Sequence, residues 1–105
     1  MQESLKYKIL KSISEDPKIT QRQLADKLGI SLGKTNYCLH AIIEKGWVKA
    51  ENFRQIPRKS RYLYRLTPHG LEEKAYVTAR FLKQKLREYE EIKTEIEELR
   101  KEAGQ

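Results

Sequence analysis

Apolar residues recur at helical intervals from the start of the chain. Leu5, Ile9 and Ile13 step by four, with Leu10 beside them. This predicts an amphipathic helix over about residues 3–15. Asp16-Pro17 ends it, because proline has no N–H to give and pushes the preceding residue out of the helical region. Leu24, Ala25 and Leu28 form a second stripe. Thr20 stands where an N-cap belongs, and Gln23 three residues later completes a capping box. Gly29 supplies the positive φ that closes a helix. Ser31 caps a third helix, running to about Lys45 and closed by Gly46. Two short helices joined by a tight turn form the helix-turn-helix pattern, whose second helix enters the DNA major groove.

The periodicity then changes. Residues 48–54 and 61–66 alternate and are rich in aromatic and β-branched side chains, so they predict two strands. The tip between them, Gln55-Ile56-Pro57-Arg58-Lys59-Ser60, is polar and basic. Thr67-Pro68 opens a last helix, with Thr as N-cap and Pro at the first helical position. No breaker interrupts it until about Lys101, a length of roughly 52 Å at 1.5 Å per residue. Leu82, Leu86, Tyr89, Ile92, Ile96 and Leu99 form a stripe along it, and the last four of these keep a heptad rhythm. So long a helix cannot fold back along a small domain, and a second copy is the simplest cover for its stripe. The expected fold is therefore mainly α with a small β-hairpin wing: a winged helix-turn-helix over residues 1–67 and a C-terminal dimerisation helix over 68–105. The stripe residues are the expected dimer contacts, in a short coiled coil or an intertwined helical dimer.

The third helix has two usable faces. Thr35, Cys38, Leu39 and Ile42 recur at three- and four-residue steps and should face the core. Ser31, Gly33, Lys34, Asn36, Tyr37 and His40 fall elsewhere, on a face that is polar and short of acids. Asn can pair bidentately with adenine, and Lys can reach guanine or phosphate. Thr20, Gln21 and Arg22, at the start of the second helix, are placed to hold phosphate. The wing cations Arg54, Arg58, Lys59 and Arg61 can lie along the backbone or dip into a narrow minor groove, where Arg is favoured. Trp47 and Tyr62 are expected to pack the wing against the third helix.

Charge sharpens this picture. Residues 1–71 hold 14 Lys/Arg and 6 Asp/Glu, a balance of +8, whereas residues 72–105 hold 8 and 9, a balance of −1. The basic excess lies with the helix-turn-helix and wing, which suits a polyanion better than a small acidic substrate. The expected partner is double-stranded DNA. No run of eighteen apolar residues is present to span a membrane. The amphipathic N-terminus lacks a signal-peptide core, so a cytoplasmic protein is expected. A single cysteine, Cys38, excludes an internal disulfide and any multi-cysteine zinc site.

Three elements carry a family resemblance: Gln23-Leu24-Ala25, Glu44-Lys45-Gly46-Trp47-Val48, and Leu66-Thr67-Pro68-His69-Gly70. With the run from Ser31 to Phe53 they resemble the MarR-type winged-helix regulators, and within them the small subgroup associated with exopolysaccharide (EPS) gene clusters. The resemblance covers nearly the whole chain and implies a dimeric bacterial transcriptional regulator that reads a pseudo-palindromic operator. Larger MarR proteins add helices at both ends and bind phenolic ligands near the dimer junction. Here one helix precedes the helix-turn-helix, so dimerisation should be mostly C-terminal, and the resemblance by itself establishes neither a ligand pocket nor a small-molecule effector.

Other chemistries fit less well. The run Gly29-Ile30-Ser31-Leu32-Gly33-Lys34-Thr35 has three residues between its glycines where a phosphate-binding loop needs four, and a helix precedes it in place of a strand. Cys38 and His40 are two apart on a helix and point in different directions, and His69 is distant in sequence, so no metal site is expected. Cys38 reads as a small core residue, since a redox switch needs exposure and a lowered pKa. No Ser-His-Asp or paired-carboxylate arrangement stands out, and no cofactor or enzymatic activity is expected. A different class of function is a winged-helix module that binds proteins and not DNA. That alternative calls for a hydrophobic patch on the third helix and a wing that is not basic.

Overall fold

The computed structural model describes residues 1–52 and 62–105. Its elements run α1 (Glu3–Glu15), α2 (Gln21–Leu28), α3 (Leu32–Glu44), β1 (Val48–Asn52), β2 (Tyr62–Leu66) and α4 (Pro68–Glu102). Local chemistry sets most of these boundaries. Asp16 ends α1, its N–H donating to the Ser12 carbonyl. The capping box of α2 is complete: Gln23 N–H donates to Thr20 Oγ1, and Thr20 N–H to Gln23 Oε1. Gly29 then takes a left-handed φ of 68°, which an L side chain would resist, and turns the chain toward α3. Ser31 Oγ accepts the Lys34 N–H at the start of α3. Thr67 Oγ1 accepts the Gly70 N–H at the start of α4.

The core gathers one face of every element. Ile9, Leu10 and Ile13 come from α1, Leu24 from α2, and Cys38, Leu39 and Ile42 from α3. Ile19, Val48, Tyr64 and Val77 close it. The strands pair antiparallel, Val48 opposite Leu66 through Asn52 opposite Tyr62. The expected strands extend further, to 54 and from 61. Those ends, with the wing cations Arg54, Arg58, Lys59 and Arg61, lie outside the described residues, as do the contacts of the Tyr62 side chain. Tyr64 N–H donates to the Pro17 carbonyl at 3.0 Å, which ties the hairpin to the turn after α1.

Trp47 is half-buried against the core that α3 and both strands share. Its ring lies under the Lys6 ammonium of α1, 4.6 Å from the centroid, and 6.4 Å from the His69 ring of α4. It therefore joins α1 and α4 at the exit of α3. The same junction is clasped by backbone: Thr67 N–H donates to the Trp47 carbonyl at 3.0 Å, and Thr67 Oγ1 donates to the Gly46 carbonyl.

Only the first part of α4 packs on the domain. Glu73 pairs with Lys6 at 3.0 Å, Arg80 with Glu3 at 3.2 Å, and Phe81 stacks on Tyr7 with centroids 4.9 Å apart. Beyond that the helix projects. The radius of gyration is 18.4 Å, against about 13 Å for a compact chain of this size.

Candidate nucleic-acid interface

The sequence of α3 divides cleanly between core and solvent. Thr35, Cys38, Leu39 and Ile42 are buried, and Gly33, Lys34, Asn36, Tyr37 and His40 are exposed. The Thr35 hydroxyl is satisfied by the Ser31 carbonyl at 2.9 Å, so this core face presents no orphan polar group. With its apolar row locked into the core, the helix can present its polar row on a rigid base.

The exposed row is organised. Gln21, Leu32, Gly33, Asn36, Tyr37 and His40 line one shallow concavity. Asn36 Nδ2 donates to Gln21 Oε1 at 3.2 Å, joining the first turn of α2 to the middle of α3. Tyr37 is 76% exposed, far more than an aromatic ring retained for packing. Arg22 is exposed beside this surface. Thr20 and Ser31 each accept one helix-cap hydrogen bond, and each hydroxyl keeps a proton to donate.

Three exposed side chains near this surface were not legible in the sequence. Leu32 opens α3 and is 45% exposed, an apolar contact placed among polar ones. Lys49 and Arg65 are direct cross-strand partners and both are exposed. Like charges facing each other cost stability, a cost offset in part by Glu51, whose carboxylate lies 3.8 Å from the Lys49 ammonium. Strand alternation alone could have exposed this pair, had the register been known.

The expected dimer residues are also where solvent reaches them. Leu82, Leu86, Tyr89, Ile92, Ile96 and Leu99 all remain 45–60% exposed. Cys38 is buried. Among the described residues, no group of three or more His, Cys, Asp or Glu side chains could hold a metal ion, and no helix is long and apolar enough to cross a membrane.

Residues 2–49 match the family model described as winged helix-turn-helix DNA-binding. The chain has the winged helix-turn-helix fold. Similar solved structures include the PcaV transcriptional regulator from Streptomyces coelicolor in complex with its natural ligand, with a TM-score of 0.66 and 22% identity over 76% of this chain and 55% of that one. ZitR from Lactococcus lactis gives 0.64 and 23%, over 88% of this chain and 60% of that one. A MarR mutant from E. coli complexed with operator DNA gives 0.58 and 28%, over 69% of this chain and 50% of that one. MarR-family regulators are thus structural neighbours of this winged helix. The chain spans only 50–60% of the length of these three proteins. No curated protein matches the sequence.

Proposed function

We propose that this chain is a sequence-specific regulator of transcription that binds duplex DNA as a homodimer, with residues 1–67 on the DNA and 68–105 joining two copies. The carrying observation is the exposed row of α3, where Lys34, Asn36, Tyr37 and His40 stand on a helix whose opposite face is buried. In this reading α3 enters the major groove and its side chains contact base edges. Thr20, Gln21, Arg22 and Ser31 hold flanking phosphates, and Gly33 lets the backbone come close. Arg54, Arg58, Lys59 and Arg61 grip the backbone or the minor groove beyond. The MarR mutant solved with operator DNA supports DNA as the partner. Two-fold pairing of the chain would make the operator a pseudo-palindrome. Resemblance to the exopolysaccharide-associated subgroup points to exopolysaccharide genes as targets. The row around Leu32 and Tyr37 is mixed and largely polar, which favours DNA over a protein surface.

Selection from a random duplex library tests this directly. Enrichment of one inverted-repeat sequence is expected, bound at least about a thousandfold more tightly than random duplex at moderate salt. Recovery of sequences with no shared motif would leave only charge-driven binding and sink the proposal.

A further inference from the structure

Two α4 helices can pair in the same direction or in opposite directions. We infer that they pair in parallel and in register, so that both winged domains stand at one end of a short coiled coil; this rests on the dimeric reading above. The seam follows a heptad. Leu82, Tyr89 and Ile96 occupy one core position, and Ile92 and Leu99 the other, with Lys85 as a polar exception. The same phase runs back through Thr78 and Ala75 to Leu71, which is 59% exposed in the first turn of α4. The α1 contacts Glu73 and Val77 lie on a neighbouring face, and Phe81, stacked on Tyr7, stands at the edge between that face and the seam, so the seam positions themselves are open to a second copy.

The residues flanking the seam decide the direction. On one flank stand Phe81, Glu88, Glu95 and Glu102; on the other stand Leu86, Lys93 and Arg100. In a parallel pair, a residue of the first flank faces the residue five positions later on the second copy. Phe81 then meets Leu86, Glu88 meets Lys93, and Glu95 meets Arg100. Symmetry repeats each contact. In the antiparallel register that sets Leu82 opposite Leu99 each flank meets itself, placing Glu88 against Glu95 and Lys93 against Leu86. The parallel pair thus has complementary contacts, whereas the antiparallel pair makes no ion pair along its flanks and sets Glu88 against Glu95 twice. Lys93, Glu95 and Arg100 are exposed and form no ion pair among the described residues, so they are available to a second copy. Lys85 at 3.1 Å, with Gln84, holds the Glu88 carboxyl below its ordinary range, which keeps it charged. The outer face carries Glu90, Glu91 and Glu98 and stays in water.

Sedimentation equilibrium of the full chain tests both levels. In a parallel dimer, Glu95→Lys and Arg100→Glu each turn two attractive contacts repulsive and should weaken association by about tenfold. The double variant E95K/R100E should recover it. In an antiparallel dimer, Glu95→Lys sets a cation against Glu88 and tightens association, which overturns the inference. Leu99→Cys gives a second measurement, since parallel helices bring the two thiols together and mild oxidation should link them. Failure of that link, with a mixture of L82C and L99C chains linking instead, also means antiparallel. A wild-type chain that sediments as a monomer sinks the dimeric reading itself. A dimer indifferent to both charge reversals places the interface away from α4 and overturns both.

Discussion

Gly33 sits in the first turn of α3, on the face proposed to meet DNA, with no atom of the chain within 4 Å of where a Cβ would be. Its backbone is helical, so the fold does not require glycine there. Glycine in a helix is less stable than alanine by up to about 1 kcal/mol. Gly33→Ala should therefore raise the unfolding free energy by up to about 1 kcal/mol while weakening DNA binding, because the added methyl stands where the backbone approaches the duplex. Urea denaturation and a duplex titration on the same preparation check it; greater stability with unchanged affinity would remove Gly33 from the interface. At this scale the sequence was legible where periodicity decides exposure: Thr35, Cys38, Leu39 and Ile42 are buried as their spacing requires. It was silent on the hydrogen bond between Asn36 and Gln21, fifteen residues apart, because that contact depends on how α2 crosses α3.

The elements begin and end on short-range chemistry, which is why α1, α2, α3 and the start of α4 could be read from Pro17, Thr20, Gly29, Ser31 and Thr67. The junction between Trp47 and the start of α4 could not. Its partners come from α1, from the exit of α3 and from the segment after β2, and no local pattern joins them. Yet it joins Gly46-Trp47 and Thr67-Pro68-His69-Gly70 into one clasp. Gly70 lies under the Trp47 carbonyl, and a Cβ there would overlap it. Gly70→Ala must displace either the exit of α3 or the first turn of α4. It should cost about 1–3 kcal/mol of stability, seen as an earlier urea midpoint with an unchanged m-value. An unchanged midpoint would mean the junction yields freely and does not fix α4 to the winged domain.

For the whole molecule, charge and shape divide the same way. The basic excess belongs to residues 1–71, which include the helix-turn-helix, and the nearly neutral remainder forms a helix that leaves the domain with its apolar stripe in water. Length and heptad spacing made the projection readable beforehand. The wing was readable as a hairpin, and the described strands pair as expected, but the placement of its basic tip is not among the described residues. The central claim is that α3 reads sequence, and base contacts carry about 1–3 kcal/mol of discrimination each. The most direct measurement is therefore the ratio of affinities for the selected site and for random duplex, taken at one salt concentration for the parent, Asn36→Ala and Tyr37→Ala. The account predicts that each substitution lowers this ratio by about tenfold or more, while binding to random duplex changes little. A ratio unchanged in both variants would contradict it.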